Sequence, residues 1–371
     1  MSKTFNISSR QHIIAAAMVA AAIASDLAVQ PASGGASPQT SNKPRSLLIS
    51  ADLLFDGTKF LTGQAVLVRH GKIVQVAPLN AIQAPGARTV NVPGGTILPG
   101  FIDMHTHHLL NAVPPLRILE HGVTTARDLG GPLKPVTIDE PFQLRQLLSG
   151  PIITVKGGYP IPVFPLSGVE VSGPGEARRL VHQLAAQGAS VIALSLEPGG
   201  EVGAPWTLLP ATSPPPWPTL SDAELGAIVQ QAHLLGLRVT AYLGTPEGAR
   251  RARNAGVDEW AHMPCDPLPT GLIQLAGSKK QAIDGTIDTL AQCTGVHDNA
   301  KQLVAAGAKL FYGTDMGHID IPHGIDASEI NQQLNAGKTV DQAIASATSE
   351  AGSYLGLAPL GQLVPGAPAD I

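Results

Sequence analysis

The stretch Pro99-Gly100-Phe101-Ile102-Asp103-Met104-His105-Thr106-His107 is a short apolar run that ends in two imidazoles. In an extended chain residues two apart point to the same face, so His105 and His107 look the same way. The stretch also opens a rhythm. After Gly94-Gly95, a short apolar run, a loop and a longer helix-period segment recur down the chain. The expected strands are TILPGFIDMH (96–105), VTTARDL (123–129), PIITVK (151–156), SVIALS (190–195), RVTAYL (238–243), DEWAHM (258–263), AIDGTI (282–287) and KLFYGTD (309–315). Between them lie helical patterns such as GEARRLVHQLAAQG (175–188) and SDAELGAIVQQAHLLG (221–236), the second opened by a capping box of Ser221 and Glu224. Strands alternating with helices call for a parallel sheet with right-handed crossovers, and eight such units predict a closed (β/α)8 TIM barrel over 94–360. An open doubly wound sheet is the alternative, but no glycine-rich phosphate loop opens the first unit.

Upstream, SLLISADLLFDGTKF (46–60) and QAVLVRHGKIVQVAPL (64–79) alternate β-branched runs with turns, and Arg69-His70-Gly71-Lys72 is a hairpin signal. Residues 46–93, joined by 361–371, are expected to form a small β-sandwich domain. At the N-terminus, Lys3 and Arg10 precede an apolar run from Ile13 to Ala24 that ends in Ala22-Ile23-Ala24, the layout of a signal peptide over 1–24 cleaved near Ala24. Export is therefore expected, to the periplasm or beyond. The run is too short for a stable membrane anchor, which needs about 20 apolar residues. Residues 25–45, rich in Ser, Pro, Gly and Ala, read as a flexible leader.

Charged residues are 14% of the chain and hydrophobic ones 44%, so a large dry core is expected. A net charge of −4 without a Lys/Arg run lacks the footprint of a nucleic-acid binder and leaves small-molecule chemistry as the expectation. Cys265 and Cys293 are the only cysteines. An oxidising compartment would let them pair, and two free thiols remain the alternative.

Barrel chemistry sits at the C-terminal ends of strands. The residues there are His105, His107, Asp128, Lys156, Ser195, Glu197, Tyr242, His262 and Asp315. In a closed barrel the first and last strands are neighbours, so His105, His107 and Asp315 should converge. His108 faces away from that pair, and His233 lies on a helix face.

The first-strand stretch, together with Gly313-Thr314-Asp315, resembles the amidohydrolase superfamily. LLFDGT, HGKIVQV, VTTARDLGG, GVDEWAHMP and GQLVPGAPADI are similar to its imidazolonepropionase-like and Xaa-Pro-dipeptidase-like branch, from about Leu47 to Ile371. The resemblance implies a divalent metal, usually zinc, that activates a water for attack on a carbonyl-type carbon of an amide, cyclic amide or dipeptide. His105 and His107 would be ligands. Asp315 would bind the metal or the water and carry the proton, and His262 would be a further ligand or would polarise the carbonyl. Two positions depart from the family pattern: Ala193 stands where a fourth-strand lysine bridges two metals, and Tyr242 where a fifth-strand histidine binds one. One metal at most is expected, with three donors and a water satisfying the usual catalytic zinc count. The alternative is a barrel that has lost catalysis and survives as a binding protein. Glu197 could reach inward or cap its loop, and Lys156 could reach in or extend to solvent. The resemblance implies further strands past Ala369-Asp370-Ile371, so the expectation is either a truncated sequence or an open sheet edge that would invite pairing with another chain, as in a homo-oligomer.

Overall fold

The computed structural model describes residues 46–136, 140 and 142–371. The expected signal segment and leader lie outside the described residues. Among the described residues no helix is long and apolar enough to cross a membrane.

The first strands build one sheet. β1 (Ser46–Phe55) runs antiparallel to β2 (Phe60–Thr62) and β3 (Gln64–Arg69), and β3 folds back into β4 (Lys72–Pro78). The turn between β3 and β4 places His70 and Gly71 in the left-handed region, φ 51° and 74°, as a two-residue hairpin matched to strand twist requires. β5 (Arg88–Ile97) lies parallel to β1. Ile49, Leu54, Val66, Ile73 and Ile97 bury one face of this sheet against Leu363 and Ala367. The end of the chain is stitched in by hydrogen bonds from Ile73 N to Ala367 O and from Ala369 N to Gly71 O, both 2.9 Å.

That sheet changes where the next strand begins. Thr96 and Ile97 pair with Leu53 and Leu54 instead of continuing to His105. Pro99 has no N–H to give a ladder, so the chain restarts as β6 (Phe101–Thr106). β6, β7 (Val123–Asp128) and β8 (Arg145–Leu148) form a parallel three-stranded sheet. A seven-stranded parallel sheet follows, in the order β10 (Gly168–Val171), β9 (Ile152–Val155), β11 (Ile192–Ser195), β12 (Val239–Tyr242), β13 (Glu259–Trp260), β14 (Ala282–Asp284) and β15 (Lys309–Phe311). The expected third strand covers only β9. β8 precedes it on the other side of Ser149-Gly150-Pro151, where Gly150 takes φ 77°, and pairs with β7 while β9 pairs with β11. Neither RQLL in β8 nor GVEV in β10 has the apolar run that made the other strands legible.

Backbone bonds link the two parallel sheets. Ser190 N donates to Leu148 O at 2.8 Å, Met104 N to Tyr312 O at 3.0 Å and Asp315 N to His105 O at 2.8 Å. Outside the strands, the helix Asp222–Leu234 opens with the expected box: Glu224 N donates to Ser221 Oγ and Ser221 N to the Glu224 carboxylate. Cys265 and Cys293 are joined in a disulfide, which resolves the choice that the sequence left open. The architecture is mixed α/β with parallel sheets.

Candidate metal centre

β6 delivers His105 and His107 to one face, and the turn after β15 delivers Asp315. Asp315 sits in the left-handed region, φ 63°, a conformation that Asp tolerates better than most residues. One donor atom from each of these three side chains lies within 4.8 Å of the others. Asp315 Oδ1 is 3.1 Å from His107 Nε2 and 3.5 Å from His105 Nε2, and the two Nε2 atoms are 3.4 Å apart. His105 Nδ1 is 2.6 Å from Ala261 O, so that nitrogen donates and the Nε2 lone pair faces inward. A fourth polar atom comes from β12: Tyr242 Oη lies 3.1 Å from His105 Nε2 and donates to Leu129 O at 2.9 Å.

The electrostatics follow from burial and from one carboxylate. Burial works to raise the Asp315 carboxyl, but His318, His107 and His105 together hold it well below the usual range. His318 Nε2 approaches its other oxygen at 3.2 Å. Burial and the neighbouring His262 keep the His105 imidazole far below its ordinary value. His107 is desolvated too, yet Asp315 lifts it above the usual imidazole.

These residues fit a divalent cation. Asp315 Oδ1 is buried and accepts no hydrogen bond, although two imidazole nitrogens stand over it. Buried polar atoms are rarely left so, and two nitrogens with one carboxylate oxygen make an ordinary zinc donor set.

The other expected residues fall at different distances from this group. His262 stands beside it: its ring stacks on His105 at 4.4 Å between centroids, and its Nδ1 is 2.9 Å from Thr286 Oγ1. Burial lowers its pKa to about 4, which keeps it neutral. Ala193 is buried on β11 and offers no donor. Glu197 accepts from Gly199 N at 3.0 Å and is buried against Glu201, where burial first and Glu201 second push its carboxyl well up. Lys156 is exposed at the end of β9. Asp128 secures the loop after β6, accepting from Leu109 N and Gly131 N, both at 2.8 Å. His108 is held by Thr106 and Gln146, and His233 is bound to Asp258.

Sequence reading missed what surrounds the centre. Tyr159, Trp206 and Trp217 meet above it, with Tyr159 5.6 Å from Trp206 and 5.9 Å from Trp217, and Trp206 6.1 Å from His262. These side chains come from the loops 157–168 and 197–220, which are rich in Pro and aromatic residues; that the loops touch is a tertiary fact. Beneath the centre Arg127 on β7 binds Glu259 and Asp284, and its Nε donates to Met104 O at 2.7 Å. His318, three residues after Asp315, was also passed over.

No family model matches the chain. Over 84 residues, 20% of this chain and 14% of the relative, it is 37% identical to adenine deaminase 2 of Rhizobium etli. Similarity along most of its length is to solved structures. An amidohydrolase superposes with a TM-score of 0.71 at 24% identity, covering 87% of this chain and 91% of its own. A Xaa-Pro dipeptidase with methionine bound in its active site gives 0.70 at 21% identity, covering 87% and 92%. The ochratoxinase of A. niger gives 0.69 at 20% identity, covering 88% of each. At such identities the likeness is one of fold.

Proposed function

Since this chain has the fold of the amidohydrolase superfamily, we propose that it is a metal-dependent hydrolase of a C–N bond in a small amide, cyclic amide or dipeptide. The observation that carries the proposal is the Asp315 oxygen left without a hydrogen bond among two imidazole nitrogens. In this reading the three- and seven-stranded sheets are parts of one (β/α)8 barrel, with β8 and β9 as two halves of its third strand. The hydrogen bonds from Ser190 to Leu148 and from Asp315 to His105 support that closure.

His105, His107 and Asp315 would hold one divalent ion, zinc by expectation, and when bound it supplies a water acidic enough to ionise near pH 7. The chain's own residues do the remainder. Asp315, ionised and buried, accepts the proton of the attacking water and returns it to the leaving nitrogen. His318 on its second oxygen orients the carboxylate. His262 is neutral; with Nδ1 accepting from Thr286, its Nε2–H is free to donate to an oxygen that gains charge during attack. Tyr159, Trp206 and Trp217 exclude water and favour a substrate with an apolar portion. With the Ala193 methyl on β11 and a phenol on β12, a second ion has no bridge.

The test is a metal count on the purified protein, paired with a screen of N-acyl amino acids, dipeptides and cyclic amides against wild type and Asp315→Asn. About one ion per chain is expected, with turnover in the wild type that falls roughly 10²–10⁴-fold in the variant. Equal turnover in both would remove Asp315 as the proton carrier. We further propose that the chain is exported, a reading that the Cys265–Cys293 bridge supports.

A further inference from the structure

The strands that lead to Tyr242 and Asp315 have their opposite ends on another face of the molecule. There the chain enters β12 and β15 through Arg238 and Lys309. With Arg253, Lys279 and Lys280 these residues line a cavity of about 360 Å³. Asp258 is the only carboxylate in that lining, and it is engaged, accepting from Val239 N at 2.8 Å and lying 2.8 Å from His233 Nε2. Among the described residues no salt bridge involves any of the five cations. In a chain of net charge −4, this is a strong local excess of positive charge.

Two further features point to a ligand. Arg253 and Tyr354 are among the residues that line this cavity, and their Nε and Oη atoms are buried with no hydrogen-bond partner. Burial keeps the phenol protonated, so both atoms are donors awaiting an acceptor, a rare condition in folded proteins. Arg238 is already placed, its guanidinium 4.3 Å over the Tyr354 ring and donating to Tyr354 O. Lys280 holds φ 52°, a left-handed conformation that glycine would take at lower cost. That conformation closes the helix Thr270–Ser278, with Lys280 N donating to Gly277 O and Gln281 N to Ala276 O, both at 2.9 Å.

We propose that this cavity binds a small organic anion carrying two or more charges, a phosphate ester or a polycarboxylate. The site is separate from the proposed reaction, and nothing in it depends on metal or turnover. The unpaired cations supply the attraction, and a cavity of about 360 Å³ has the size of a small molecule.

The test is thermal unfolding of the full chain titrated with glycerol 2-phosphate and, separately, with succinate, each against sodium chloride at equal ionic strength. A ligand that binds only the folded state raises the midpoint saturably. At least one anion is expected to do so beyond the salt control: the phosphate alone marks a phosphate ester as ligand, succinate alone a polycarboxylate. Arg253→Gln and Lys280→Gly should each weaken apparent binding about tenfold, and the glycine variant leaves the backbone unstrained and the fold intact. Lys59→Gln, an exposed lysine far along the chain, should change nothing. If neither anion exceeds the salt control, or if Lys59→Gln weakens binding as much as Arg253→Gln, the proposal is overturned.

Discussion

Replacing Arg127 with methionine tests how the floor of the proposed site is held. The guanidinium is 2% exposed and the carboxylates of Glu259 and Asp284 are 1% and 0% exposed. Arg127 reaches Asp284 Oδ2 at 3.0 Å, both its Nη atoms contact Glu259, and its Nε satisfies Met104 O. Methionine keeps most of the stem and removes every donor. Breaking a buried ion pair by deleting one partner costs about 3–5 kcal/mol, because the other charge stays buried and uncompensated. The lost bond to Met104 O adds about 1 kcal/mol. Asp284 softens the loss: burial and then Glu259 hold its carboxyl well above the ordinary range, so it takes up a proton readily. The expected net loss is about 4 kcal/mol, a large share of the 5–15 kcal/mol that a folded protein holds in reserve. Urea unfolding of both proteins with the same bound metal measures it. Arg127→Met/Glu259→Gln should then recover at least about 1 kcal/mol relative to Arg127→Met, since a neutral amide no longer needs the cation. A loss under about 1 kcal/mol, or a double variant that loses the full sum of the two single ones, would refute the argument.

Three other outcomes are expected. A β-carbon on Gly313 would stand 3.1 Å from His105 Cβ and 3.3 Å from Asp284 Cβ, so Gly313→Val should displace His105 and weaken zinc affinity about tenfold or more while circular dichroism stays unchanged. His262 titrates near 4 when folded against about 6.5 when unfolded. Its contribution is therefore complete above pH 6.5 and is lost as pH falls toward 4, where the unfolded chain takes up the proton first. His262→Asn should flatten that acid limb of the stability curve, and an unchanged limb would show that the histidine is not buried neutral. Finally, Cys265→Ala/Cys293→Ala opens a loop with a sequence separation of 28, which chain entropy values at about 3–4 kcal/mol. Calorimetry should find most of that loss, with wild type under reductant matching the variant.

How far the site could be read from sequence depends on whether its geometry is local. His105 and His107 were legible because a strand has period two, and Asp315 because it closes the last apolar run; those facts need no tertiary knowledge beyond the order of the strands. Tyr242 was legible as a position, while its phenol's approach to His105 was not, since a fifth-strand tyrosine reads as a lost ligand until coordinates place it. Pro99-Gly100 carried the signal for a strand break, but the apolar residues on both sides outweighed it in a reading based on periodicity, and RQLL before Ser149-Gly150-Pro151 lacks the apolar run that would have marked β8. The charged groups were silent for a different reason. Arg127, Glu259 and Asp284 each look like an ordinary strand residue, and only register across β7, β13 and β14 makes one network of them. Arg238, Arg253, Lys279, Lys280 and Lys309 are likewise too scattered to count as a basic run, so the same net charge of −4 that argued against a polyanionic partner for the whole chain says nothing about one face of it. A sum over the sequence averages away the separation of charge that a fold creates, and binding of small ions responds to that separation.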